Sequence, residues 1–72
     1  MEQFLEKFYD LLEETDRSQI TEETMFKDLD EWNSMTALML IAMFDEEYSK
    51  KINGDDIKNA NSLADLFLLT QD

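Results

Sequence analysis

No proline interrupts this chain anywhere along its 72 residues, and its single glycine is Gly54. Proline and glycine are the strongest punctuation a backbone carries, so their near absence argues for one helix-rich unit without a linker. No repeat or low-complexity segment divides it, and residues 1–72 read as a single domain. A chain this short buries only roughly 60% of the surface its unfolded form exposes, which requires an economical core. Its 43% hydrophobic content is enough to build one.

Hydrophobic spacing places the elements. From Glu2 to Glu14, residues Phe4, Leu5, Phe8, Leu11 and Leu12 recur at helical intervals between Glu and Lys, which predicts helix one. Thr15, Asp16 and Ser18 break the pattern, because their short polar side chains compete with the backbone for hydrogen bonds. No sustained period runs from Asp16 to Asn33, yet Ile20, Met25, Phe26, Leu29 and Trp32 punctuate the stretch. Two readings fit: a long loop pinned by apolar anchors, or the same loop with a short extra helix near Glu22 to Lys27.

Helix two is predicted from Ser34 to about Tyr48, with Asn33 or Ser34 as its N-cap. Its apolar residues from Met35 to Phe44 cover more circumference than one buried face requires. Leu38, Ile41 and Phe44 supply the expected buried stripe. Met35, Met39 and Met43 recur every fourth residue and form a second stripe, suited to adaptable contact because methionine is flexible and polarizable. Lys50 and Lys51 follow near the negative end of the helix. Asp55 and Asp56 begin a short helical segment containing Ile57, and Asn61 or Ser62 caps a last helix in which Ser62 and Asp65 have capping-box spacing. Leu63, Leu66 and Phe67, with Leu69 or Thr70, close the core. The predicted fold is all-α: a bundle of three main helices plus one short helix, with a long loop after helix one.

Eighteen acidic residues against six basic ones give a formal charge of −12. Such a surface repels nucleic acid and anionic lipid, favours partners with basic patches, or simply maintains solubility. The chain has no cysteine and no histidine, which removes disulfides, thiolate metal sites, cysteine nucleophiles, serine–histidine triads and the usual general base near neutral pH. Independent catalysis is therefore not expected. Asp28, Asp30 and Trp32 begin a carboxylate spacing but lack the glycine and later glutamate of a calcium loop, so no metal site is assigned. The longest apolar run, Ala37 to Phe44, is far below the roughly 18 residues of a membrane span, and a membrane-surface helix would need a basic polar face. The expectation is a soluble, cytoplasmic monomer.

The segment Trp32-Asn33-Ser34-Met35, between an anchored loop and an apolar helix, resembles the modified site of the acyl carrier protein family. In that family an Asp-Ser-Leu motif opens the second of four helices. The resemblance spans nearly the whole chain: helix one, the loop with Phe26 and Leu29, Ser34, the run ending Asp45-Glu46-Glu47-Tyr48, and Ser62-Leu63-Ala64-Asp65-Leu66. It implies a 4'-phosphopantetheine arm on Ser34, moved there from coenzyme A with magnesium by a phosphopantetheinyl transferase. Acyl-loading and acyl-modifying enzymes with basic patches would then work on the carried thioester. A helix start suits a phosphodiester, because unpaired N–H groups and the positive end of the dipole meet there. A chain without cysteine also needs an arm to supply the thiol.

The family pattern puts Asn33, Met35, Met39, Asp45 and Glu46 on the partner-facing side. Two positions depart from it. Asn33 stands where an acidic residue is usual, removing a charge a basic transferase could read, and Trp32 lies where a glycine is usual nearby, as in carriers of specialised pathways. The alternative is an unmodified acyl-carrier-like adaptor that holds a basic protein partner with the same acidic helix.

Overall fold

Four helices form in the computed structural model, which describes residues 1–71: α1 (Glu2–Tyr9), α2 (Ser34–Tyr48), α3 (Gly54–Asn59) and α4 (Leu63–Leu68). The described residues contain no strand, so the architecture is the expected small all-α bundle. The last two helices have only six residues each, and α1 and α2 supply most of the helical length.

α1 stops five residues before the predicted Glu14. Its apolar period does continue, and Leu12 is buried, but the backbone tightens. The N–H groups of Leu11 and Leu12 reach back three residues, to Phe8 O at 3.0 Å and Tyr9 O at 2.9 Å. Beyond them the N–H groups of Glu13, Glu14 and Thr15 all point to the side chain of Glu31. Helix propagation ends because its donors have a better acceptor elsewhere.

The connection from α1 to α2 is the anchored loop, with single 3-10 turns at Arg17–Gln19 and Phe26–Asp28 in place of a helix over 22–27. Ile20 and Phe26 are fully buried, while Leu29 and Trp32 pack against the core from its edge. Met25 is not an anchor: it is about half exposed. Phe26 stands edge-on to Phe8 and to Trp32, with centroids 6.4 and 5.0 Å apart, a geometry that adds about 0.5–1.5 kcal/mol per pair beyond burial. Polar links complete the attachment. Arg17 bonds Glu6 at 2.8 Å and Ile20 O at 2.8 Å, while Thr24 O and Glu22 O accept the N–H groups of Leu63 and Ala64 at the start of α4.

α2 turns a different face inward from the predicted one. Thr36, Leu40, Met43 and Phe44 are its buried residues, at spacings of four, three and one. Leu38 lies two residues from both Thr36 and Leu40, roughly 200° round the helix from each at ~100° per residue, and is 63% exposed. Around the other end of the core, Phe4 contacts Phe44 and Phe67 edge-to-face at 5.8 and 5.7 Å. α3 and α4 start with capping boxes: Asn53 with Asp56, and Ser62 with Asp65 as its spacing predicts.

Ser49 ends α2 in the left-handed region, with φ 54° and ψ 36°. A β-carbon is unfavourable there and glycine is the residue that carries no such cost. Ser49→Gly is expected to stabilise the fold by about 0.5–1 kcal/mol, raising Tm by several degrees in a domain of this size. A thermal melt followed by circular dichroism checks this, and an unchanged or lower Tm would show that Ser49 contributes a compensating contact.

Candidate functional site

The start of α2 is built by three residues in succession. The Glu31 carboxylate accepts the N–H groups of Glu13 at 2.7 Å and Glu14 at 2.8 Å, together with the N–H and hydroxyl of Thr15. The backbone carbonyl of Glu31 meanwhile accepts the hydroxyl of buried Thr36 at 2.8 Å. Asn33 then takes extended backbone angles, and its Oδ1 accepts the Thr36 N–H at 3.0 Å, so Asn33 is the N-cap. The hydroxyl of Thr36 also reaches Asn33 Oδ1 at 3.2 Å. One side therefore holds the end of α1, and the other holds the first turn of α2.

Ser34 is consequently the first residue of α2 and not its cap. Its side chain is exposed, and no described residue hydrogen-bonds to its hydroxyl. A serine in the cap position would have turned its oxygen back onto the helix; Asn33 does that work and leaves Ser34 Oγ open to solvent beside the positive end of α2. The arrangement can accept a modifying group on that oxygen without breaking a bond of the fold.

Glu31 is the residue that sequence reasoning missed. The hydroxyl of Thr15 and the three N–H groups stabilise its ionised form and hold its pKa down from 4.5 to about 2. No local pattern marks such a role, because its partners lie 16 to 18 residues away.

The partner-side residues predicted from the sequence separate into two groups. Asn33, Met35 and Met39 line a hollow of about 340 Å³ with Asp10, Leu11 and Glu31. Met39 continues into a second hollow of about 350 Å³, with Met43, Glu46 and Glu47 on the α2 side and Lys7, Asp10 and Leu11 opposite. The two share Asp10, Leu11 and Met39, so they form one groove along the seam of α1 and α2. Asp45 and Ser34 line neither hollow. Asp45 instead pairs with Lys51 at 3.5 Å, an exposed contact worth little. Lys7 is bound to Glu47 at 3.0 Å, and that hydrogen bond raises the lysine pKa.

The methionine stripe winds into the core as it advances: Met35 is 64% exposed, Met39 37% and Met43 only 7%. Residues four apart drift by roughly 40° per step, which accounts for the progression. Among the described residues there is no cluster of three or more metal-ligating side chains, and no helix is long and apolar enough to cross a membrane.

Two predictions follow from this geometry. Because folding favours ionised Glu31, its contribution is complete above about pH 4.5 and is lost as pH falls toward 2. Glu31→Gln, which removes the charge and one acceptor oxygen, should lower Tm at pH 7 and flatten the acid limb of the stability curve. Identical acid limbs in the two proteins would remove Glu31 from that linkage. Separately, Met39→Glu should cost under about 1 kcal/mol, whereas Met43→Glu should cost several kcal/mol by burying an unpaired charge. Equal losses in the two melts would place Met39 in the core.

A comparison with protein-family models gives no match, and neither curated proteins nor solved structures match the chain.

Proposed function

We propose that this protein is a carrier that takes a 4'-phosphopantetheine arm on Ser34 and presents the attached acyl or related group to partner enzymes. The observation that carries the reading is the exposed, unbonded Ser34 hydroxyl at the first position of α2, beside a separate cap residue. The N–H of Thr36 is occupied by Asn33 Oδ1 and that of Ala37 by Asn33 O, which leaves the Ser34 and Met35 N–H groups without an intrahelical partner. They and the positive end of the 15-residue helix would face a phosphodiester on the serine oxygen. The residues present fit the group in this sense. When bound, it would supply the thiol that the cysteine-free chain lacks.

The chain's own part in this scheme is to hold and to present. Its −12 charge would speed the encounter with basic enzymes, and Met35 and Met39 would provide apolar contact near the arm. Asp45 and Glu46, both exposed, would act mainly in steering. A second reading, an unmodified adaptor for a basic partner, is favoured by one observation: Asn33 is neutral where the resemblance calls for an acidic residue, and it is already committed to capping.

Intact mass separates the two. Co-expression with a broad-specificity transferase should add one arm to the wild-type chain and none to Ser34→Ala, whose helical circular dichroism should match wild type. Wild-type chains that remain unmodified with an active transferase would favour the adaptor, and an arm found on Ser18, Ser49 or Ser62 would overturn the assignment to Ser34.

A further inference from the structure

We propose that the groove between α1 and α2 is a docking site for a basic amphipathic helix of a partner protein. This goes beyond the carrier reading, because it needs no group on Ser34 and uses residues of the segment that follows α1. The floor of the groove is apolar, with Leu11 on one side and the part-exposed Met35 and Met39 on the other. Two methionines one turn apart offer an adaptable surface for aliphatic or aromatic side chains. From Asn33 to Glu47, α2 advances about 21 Å at ~1.5 Å per residue, the length of about four helical turns. A helix laid along that seam would set apolar residues against the floor at intervals of three and four.

Charge identifies the occupant. Asp10 and Glu13 stand on the α1 side of the groove and Glu46 on the α2 side. Among the described residues none of the three is in an ion pair, in contrast to Glu47, held by Lys7, and Asp45, held by Lys51. Carboxylates outside these ion pairs thus flank an apolar strip on both sides, and Lys7 is the one cation among the lining residues. The complement is an apolar stripe edged by Lys or Arg. A second copy of this chain would bring another −12 of like charge, and an anionic membrane would be repelled in the same way.

The test uses the chain purified without a transferase, its intact mass showing a bare Ser34, so that the outcome is independent of modification. The probe is a labelled helical peptide of about 18 residues, with leucines spaced three and four apart and lysines on both flanks, followed by fluorescence anisotropy. Saturable one-to-one binding is expected. Leu11→Gln and Met39→Gln should each weaken it about tenfold or more, and Asp10→Lys should weaken it and reduce its salt dependence. Glu23→Lys, which lines neither hollow, should change it by less than about twofold. Circular dichroism establishes that each variant is folded, and the exposed Asp10→Lys carries the test even if an apolar variant is not. Three results would overturn the proposal: equal weakening by Glu23→Lys and Asp10→Lys, which means that binding follows net charge; undiminished binding to Met39→Gln; or self-association in sedimentation that Met39→Gln abolishes, which assigns the groove to a second copy.

Discussion

The carboxylate of Glu31 receives three consecutive backbone N–H groups and one hydroxyl from the segment that leaves α1. Those donors lie just past the helix, where the chain has left the helical path and no backbone carbonyl receives them, and the carboxylate supplies the acceptor that a further turn would have given. Because the acceptor sits immediately before α2, one interaction ends the first helix and tethers the start of the second. The carbonyl of the same residue holds Thr36, and Thr36 with Leu40 and Phe44 sets which side of α2 faces the core. The exposure of Ser34, Leu38 and Met35 follows from that rotation.

Acidity in this chain therefore has two separate uses. Glu31, Asp56 and Asp65 accept backbone N–H groups at element boundaries, as Asp16 does at the first turn of the loop. For Asp65 the N–H groups of Asn61 and Ser62 hold the carboxyl below its usual range. These carboxylates are part of the fold's hydrogen-bond accounting. Others, such as Asp10 and Glu46, border the α1–α2 groove and make its rim acidic. Net charge alone does not distinguish the two populations.

α2 joins the core to the exposed surface. Its buried side carries Leu40, Met43 and Phe44 into an aromatic core shared with Phe4, and its N-terminal turn carries the open serine. Its remaining surface is apolar at Met35, Leu38 and Met39, more than a helix needs for burial alone. The loop that precedes it is long but firmly attached, through Phe26, Ile20 and the backbone bonds to α4, so the serine is displayed from an anchored frame.

Local pattern by itself determined the helix class, the starts of α2 and α4, and the anchoring roles of Ile20 and Phe26. Caps, periodicity and the absence of proline act within a few residues and can be read in sequence. Tertiary structure alone decided where α1 stops, which face of α2 is buried and that Leu38 and Met25 stay exposed. It also brought Asp10 and Leu11 to the methionines as the far wall of a groove. Those outcomes depend on contacts between segments distant along the chain, above all the bonds from Glu31 to Glu13, Glu14 and Thr15. A carboxylate in a polar loop looks the same in sequence whether it meets water or a row of unpaired amides, and only the folded chain brings those amides to it.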